Sequence, residues 1–483
     1  MEMSSFEQRF RVREPTSILK QDDKKRIHEG ALHIMERTGI RIPCSTARSD
    51  LRKAGALVDD RSKVVRFPKD VVLSLIKSVP SKIVLAGRTK EFDLPVDGTH
   101  HYYTTDGCGI SVWDEKTKTK RNSTLADITR TAVIGDWLPY VSIYEPMVVA
   151  NDVPAEKHVV MGMREALKNT QKHIETESTT KPEEAKAQVR MAAEVVGGTE
   201  ELRKRHYISA MVCTTAPLQL EELATEDALV WAENHVPVHI TAMGQMGLTG
   251  PATVVGDLII CHAETLALAA VMQAHERGAP VLYGSVLSSM DPKTGAVNFG
   301  SPESMMLAAG SSEMARYVKW PCSCGGIGPG AAVPGVQASV ENSTMALLCA
   351  MTGSEIMNGV GLVDNSTVLS YEQLLIDNDI VGLTIAACKE IPTDADALAL
   401  DIIAKVGIGG SYLAEMHTLR HAREFYVPLI WSKDSYDSWT KRGRKDVMQI
   451  AKEKADSILK EHKPVPLDKD VSARIDAIIK GFD

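Results

Sequence analysis

From about residue 137 the chain alternates short apolar runs with long amphipathic stretches, about eight times over roughly 280 residues. That alternation predicts an α/β fold built on a closed (β/α)8 TIM barrel rather than an open sheet. A second observation agrees with it: polar and glycine-rich segments follow the apolar runs, which is where such barrels place their chemistry.

The elements follow in order. Residues 1–135 predict an N-terminal α+β extension. In it Asp22–Glu36 is a helix with Ile27, Ala31, Ile34 and Met35 at helical spacing and Gly39 as its stop. Helices over Cys44–Gly55 and Pro68–Val79 come next, with strands at Val64–Phe67 and Ile83–Ala86 and a hairpin over His101–Trp113 turning at Asp106-Gly107. Thr124-Leu-Ala-Asp127 is a capping pattern that opens a further helix. Residues 136–430 predict the barrel. Its strands are Val141–Val149, His173–Glu177, His206–Cys213, Val238–Met243, Val281–Ser285, Trp320–Cys324, Ile356–Leu362 and one near Ile402–Val406. Helices such as Pro182–Val196, Gly256–Arg277 and Pro302–Val318 lie between them. Residues 431–483 predict a charged helical segment on the barrel's outside.

The net charge of −8 and the absence of a basic, aromatic-interleaved patch exclude a nucleic-acid binder, and the basic run Lys116–Arg121 reads as a solvated turn. Eight cysteines without a CxxC pair predict neither a disulfide framework nor a structural zinc site. The charged N-terminus and the lack of an 18-residue uncharged apolar run predict a cytoplasmic chain without a membrane segment.

On the predicted rim stand Glu145, Glu175, Glu177, Met243, Tyr283, Asp364 and the loop Cys324–Gly330, without a nucleophile–base pair. Carboxylates and aromatic faces suit a cation. Taken singly, Tyr283 also reads as barrel filler and His239 as a hydrogen-bonded core residue. GGIGPG is broken by Pro329 and lacks the later acidic residue of a dinucleotide site. VGIGGSY (406–412) remains a rival phosphate loop. His173, His206 and His239 sit at strand starts or interiors, so no metal is expected.

Three blocks resemble the trimethylamine methyltransferase family. The first runs from ALHIMERTGIRI through LRKAGALVDDRSKVVRFPKDVVLSLIKSVPSKIVLAGR and HHYYTTDGCGISVWD to STLADI. The second holds GGIGPG, QASVEN and SYEQLLIDNDIVG, and the third is GIGGSYLAEMHTLRHAREFYVPLIW. The resemblance implies a barrel, a homo-oligomer, and methyl transfer from an amine to the corrinoid (cobalamin) carried by a separate cognate corrinoid protein. Family members that act on trimethylamine carry pyrrolysine, whereas this chain has only the twenty standard residues. That difference implies a quaternary amine: glycine betaine first, with proline betaine, carnitine or butyrobetaine as alternatives. A phosphate-binding lyase and a non-catalytic betaine-binding module are the rival classes. The expected substrate cage is Tyr103, Glu145, Tyr283, Asn358 and Asp364, with Gly326, Gly328 and Gly330 near the substrate carboxylate and His417 at the mouth.

Overall fold

The structure, a computed structural model, describes residues 6–107, 109–176, 179 and 181–482. Eight parallel strands make one sheet: β1 (Tyr102–Tyr103), β2 (Ile143–Tyr144), β3 (His173–Thr176), β4 (Ile208–Cys213), β5 (Val238–Ala242), β6 (Val281–Ser285), β7 (Cys322–Gly326) and β8 (Ile356–Asn358). From β2 onward each pairs with the next in sequence, and β8 pairs with β1 through Met357 and Tyr103. A parallel bridge between Thr104 and Ile143, and the Ser142 N–H donating to the Tyr103 carbonyl at 2.9 Å, join β1 to β2 and close the barrel. The predicted (β/α)8 architecture is the observed one.

Two strand expectations are corrected. The first barrel strand is Tyr102–Tyr103, within the span expected to form the N-terminal extension. Ile402–Val406 is no strand but falls in the helix Leu400–Val406, which buries none of its residues. The loop 407–412 therefore does not follow a barrel strand, and the phosphate reading loses its premise. The His101–Trp113 hairpin is likewise divided, because Ser111–Asp114 pairs with Thr119–Asn122 and joins Leu362–Val363 and Val368–Leu369 in a separate sheet. The basic run forms the turn and second strand of that hairpin.

Helix ends follow their caps. Thr124 and Asp127 close the predicted capping box, and Pro opens both Pro182–Val196 and Pro302–Val318. The helix Val254–His275 is long and apolar enough to cross a membrane by length and composition, yet 72% of that window is buried. It lies between β5–β6 on one side and the N-terminal helices Gln21–Arg37, Ser45–Lys53 and Lys69–Ile76 on the other. A buried polar line crosses these layers, with His28 Nδ1 2.9 Å from His262 Nε2 and His262 Nδ1 2.8 Å from the Tyr283 hydroxyl. At the C-terminus, Val447–Glu461 packs on Tyr371–Ala387 and Lys469–Lys480 packs on Pro182–Val196, outside the barrel.

Candidate active site

The C-terminal ends of β6, β7 and β8 are tied by their loops. After β7 the chain runs Ile327-Gly328-Pro329-Gly330, and a Cβ on Gly328 would clash with Ser366 Oγ, so a larger residue there would have to turn that hydroxyl away. After β8, Asp364, Asn365 and Ser366 are consecutive left-handed residues with φ of 55°, 52° and 65°. Such conformations cost of order 1–2 kcal/mol each in non-glycine residues and persist only where the surroundings enforce them. Here Asp364 and Asn365 donate backbone N–H groups to the Ala331 and Pro329 carbonyls, each at 2.8 Å. Asn365 Oδ1 accepts from the Phe299 N–H at 3.2 Å, bringing in the loop after β6.

Behind these loops a cavity of about 260 Å³ opens at the strand ends. Asp106 follows β1, Met211 and Cys213 lie on β4, and Thr241 and Met243 come from the end of β5. Val286 and Phe299 follow β6, Gly326 and Gly328 come from β7, and Asn358, Asn365 and Ser366 close the wall. The wall is mostly apolar, with one aromatic ring, two thioethers and one carboxylate. No histidine or lysine lines it among the described residues. Asn358 is 2% exposed; its Oδ1 accepts from Ser323 Oγ at 3.0 Å, while its Nδ2 has no hydrogen-bond partner. One layer deeper in the barrel, His239 Nδ1 is 2.7 Å from Glu175 Oε1 and its Nε2 is 3.0 Å from the Ser323 carbonyl. Gly284 makes room for that ring, since a Cβ there would meet it at 2.2 Å. His239 is thus a buried, hydrogen-bonded core residue.

The cavity gathers three of the expected residues: Asn358, Gly326 and Gly328. Gly330 lies one step outside, where a Cβ would come within 2.8 Å of Asn298 Oδ1. Glu145 is buried at the end of β2, its N–H donating to Thr105 Oγ1 at 2.7 Å, and is not part of the wall. Glu177 lies outside the described residues.

Four residues sit elsewhere. Tyr103 points away from the barrel axis toward Tyr371–Ala387. Its hydroxyl is 2.8 Å from His101 Nε2, and burial pushes its pKa well up. Tyr283 likewise faces the outer helix through His262 and packs near Trp320, with ring centroids 6.2 Å apart. Asp364 is turned outward by the left-handed backbone and pairs with Lys120 of the hairpin. His417 lies on the exposed helix Met416–His421, beside His421. Sequence reasoning missed Asp106, Met211 and Phe299. Asp106 was legible only as a turn signal, and Phe299 sits in a loop with no pattern of its own.

A family model described as trimethylamine methyltransferase (MTTB) matches residues 2–481. The trimethylamine methyltransferase MttB of Desulfitobacterium hafniense (strain DSM 10664 / DCB-2) is 32% identical over 454 residues, covering 94% of this chain and 91% of that protein. The MttB of Methanosarcina barkeri (strain Fusaro) is 29% identical over 466 residues, 96% and 94% of the two chains. A glycine betaine methyltransferase of Desulfitobacterium hafniense (strain Y51) is 28% identical, covering 96% of each. Among solved structures, the Methanosarcina barkeri monomethylamine methyltransferase MtmB aligns with a TM-score of 0.56 at 12% identity, over 95% of this chain and 92% of that one, a likeness of fold.

Proposed function

This chain belongs to the trimethylamine methyltransferase family, and from that premise we propose that it transfers a methyl group from a small betaine to a corrinoid protein. The observation that carries the betaine reading is the cavity at the strand ends, which combines a carboxylate, an aromatic face and an unpartnered amide N–H donor, with no acid–base pair among the described residues.

A quaternary nitrogen already carries the positive charge that makes a tertiary amine a good leaving group, so no side chain has to protonate it. What the protein supplies is position and an electrostatic frame. Asp106 offers negative charge to the ammonium, the Phe299 ring face adds cation–π attraction, and the Met211 and Met243 thioethers pack around the methyls. Asn358 Nδ2 is the donor for the substrate carboxylate. The reduced corrinoid of the partner supplies the cobalt nucleophile that accepts the methyl. The chain's own loops hold the reacting methyl toward the mouth and keep water off it. A volume of about 260 Å³ is below the roughly 300–1,000 Å³ of drug-sized pockets, which favours glycine betaine over bulkier carnitine.

The test is direct. The protein, its corrinoid protein in the cob(I) state and each of glycine betaine, proline betaine, carnitine, butyrobetaine and trimethylamine are mixed, and methylcobalamin absorbance is followed. Methylation from glycine betaine supports the reading. Methylation from trimethylamine alone, or from none of them, overturns it.

A further inference from the structure

After the helix Tyr371–Ala387 the chain leaves the barrel and returns only near Leu429–Trp431, whose backbone N–H groups bind Asp379. Between these points lie the short helices Ala395–Leu398, Leu400–Val406 and Met416–His421, and none of them buries a residue. A segment without a core needs another means of holding its shape. The polar groups that could do so converge on one point.

His417 and His421 stand four apart on one helix face, their ring centroids 4.2 Å apart. Asp396, from the first short helix, faces them. Its Oδ2 is 3.2 Å from His421 Nε2, and its backbone carbonyl is 2.9 Å from His417 Nε2. Side-chain ligand atoms of the three residues all lie within 4.8 Å of one another. Zinc bonds of about 2.0–2.1 Å in a tetrahedron require ligand atoms about 3.3 Å apart, so small rotamer adjustments bring them into place.

The surrounding groups are those that prepare metal ligands. Glu424 Oε2 lies 3.0 Å from His421 Nδ1, and a carboxylate accepting that N–H leaves Nε2 as a lone pair aimed at Asp396. Arg420 donates to Asp396 Oδ1 at 2.7 Å, which leaves Oδ2 facing the histidines.

The geometry points to a binding site for one divalent transition-metal ion, zinc-like in preference, formed by Asp396, His417 and His421 and oriented by Glu424. Two imidazoles and one carboxylate suit zinc, and water takes the fourth position. The ion would join residues about twenty apart and so fix the fold of an arm that has no core. Of the histidines that made a metal unexpected, His173 and His239 lie on barrel strands and His206 caps the helix Thr199–Arg205, whereas His417 and His421 lie in the arm.

The full-length chain, stripped with a chelator and dialysed, is titrated with Zn2+ by calorimetry and with Co2+ by visible absorption. One saturable equivalent and the intense d–d bands of tetrahedral Co2+ are expected. His417→Ala and His421→Ala remove both signals, Asp396→Asn weakens them, and Glu424→Gln lowers affinity by about 10–100-fold. Trypsin cleavage at Lys405 and Arg420 slows when Zn2+ is present. All four side chains lie in the arm, outside the barrel, so circular dichroism of the metal-free variants stays that of the metal-free parent. Absence of saturable binding, or an unchanged stoichiometry in the His417→Ala, His421→Ala double variant, overturns the site.

Discussion

At the N-terminal end of the barrel a cleft of about 940 Å³ opens beside Phe6, Arg9, Phe92, Asp136 and Lys172, and it is larger than the cavity at the other end. Lys172 is fully buried there, and its Nζ donates to the carbonyls of Gly135, Leu138 and Val141 at 2.6, 2.6 and 2.5 Å. Two of these end or follow the helix Leu125–Trp137, whose last carbonyls have no partners within the helix. Burial pulls the lysine pKa down to about 7, while three acceptors favour the ammonium. At the C-terminal end Asn358 Nδ2 and the Ser285 hydroxyl have no partner, and three residues in a row hold left-handed backbone. At the larger void the buried lysine has its bonding capacity filled; the smaller one keeps some free. Unused capacity, more than volume, is the ground on which we place the ligand at the C-terminal end.

The contrast is breakable, and the largest test is at the filled end. Lys172→Met strands three buried carbonyls and should cost roughly 3 kcal/mol or more in urea unfolding, with the Michaelis constant for the betaine unchanged in the folded fraction. A loss below about 1 kcal/mol, or a shift in the Michaelis constant, would mean the two ends are not separate in function. At the open end, Asp106→Asn removes the charge that we propose faces the ammonium. Binding should weaken by roughly 2–4 kcal/mol with a melting temperature close to that of the parent, read by calorimetry and thermal melts. Wild-type affinity would move the cation elsewhere in the wall.

Asp257 sharpens the comparison through pH. It sits in the first turn of Val254–His275 behind Gly244, both oxygens lack partners, and burial raises its pKa to about 7. Its folded pKa exceeds the unfolded value near 4, so the protonated form is favoured. That stability is present below about pH 4 and is lost as pH rises toward and through 7. Asp257→Asn should therefore match wild type near pH 4 and become more stable by roughly 1–3 kcal/mol at pH 8 in denaturant melts. A constant offset across pH would refute the assignment. Phe299→Leu removes the ring quadrupole while keeping bulk, and should weaken betaine binding by roughly 1–2 kcal/mol, seen as a Michaelis-constant rise with the turnover rate retained. Least of all, Asp364→Asn breaks a half-exposed pair with Lys120 and should change stability by under about 1 kcal/mol and affinity not at all.

Seven of the eight barrel strands were legible because each is an apolar run between helical stretches. Tyr102–Tyr103 was not, being two residues long in a stretch that also looks like a hairpin. Its place was given to Ile402–Val406, whose apolar residues lie in an exposed helix. The cage tyrosines failed for a different reason. A parallel barrel strand is buried on both faces, so Val281–Ser285 carries no alternation to say which side chains point inward. Tyr283 faces the helix layer, and the axial positions fall to its neighbours, with Gly284 against His239. The position of Asn358, Gly326 and Gly328 on the cavity wall could be anticipated because they stand at or just past strand ends, where barrels open their cavities. Asp364 obeyed the same rule but was redirected by backbone sign, which no side-chain pattern reveals.

The helix Val254–His275 is covered on its outer side by segments that precede it by about two hundred residues. During synthesis, the N-terminal helices therefore leave the ribosome first, and at about 5–20 residues per second they lead the most apolar helix of the chain by roughly nine seconds or more. The order of the sequence thus acts as a built-in chaperone: a cover is already waiting when that surface emerges. The barrel itself cannot close until β8 arrives beside β1, more than 250 residues later. A circular permutant that moves residues 6–101 to the C-terminus would keep the contacts of the finished fold and lose that timing, and so would aggregate during translation rather than after it.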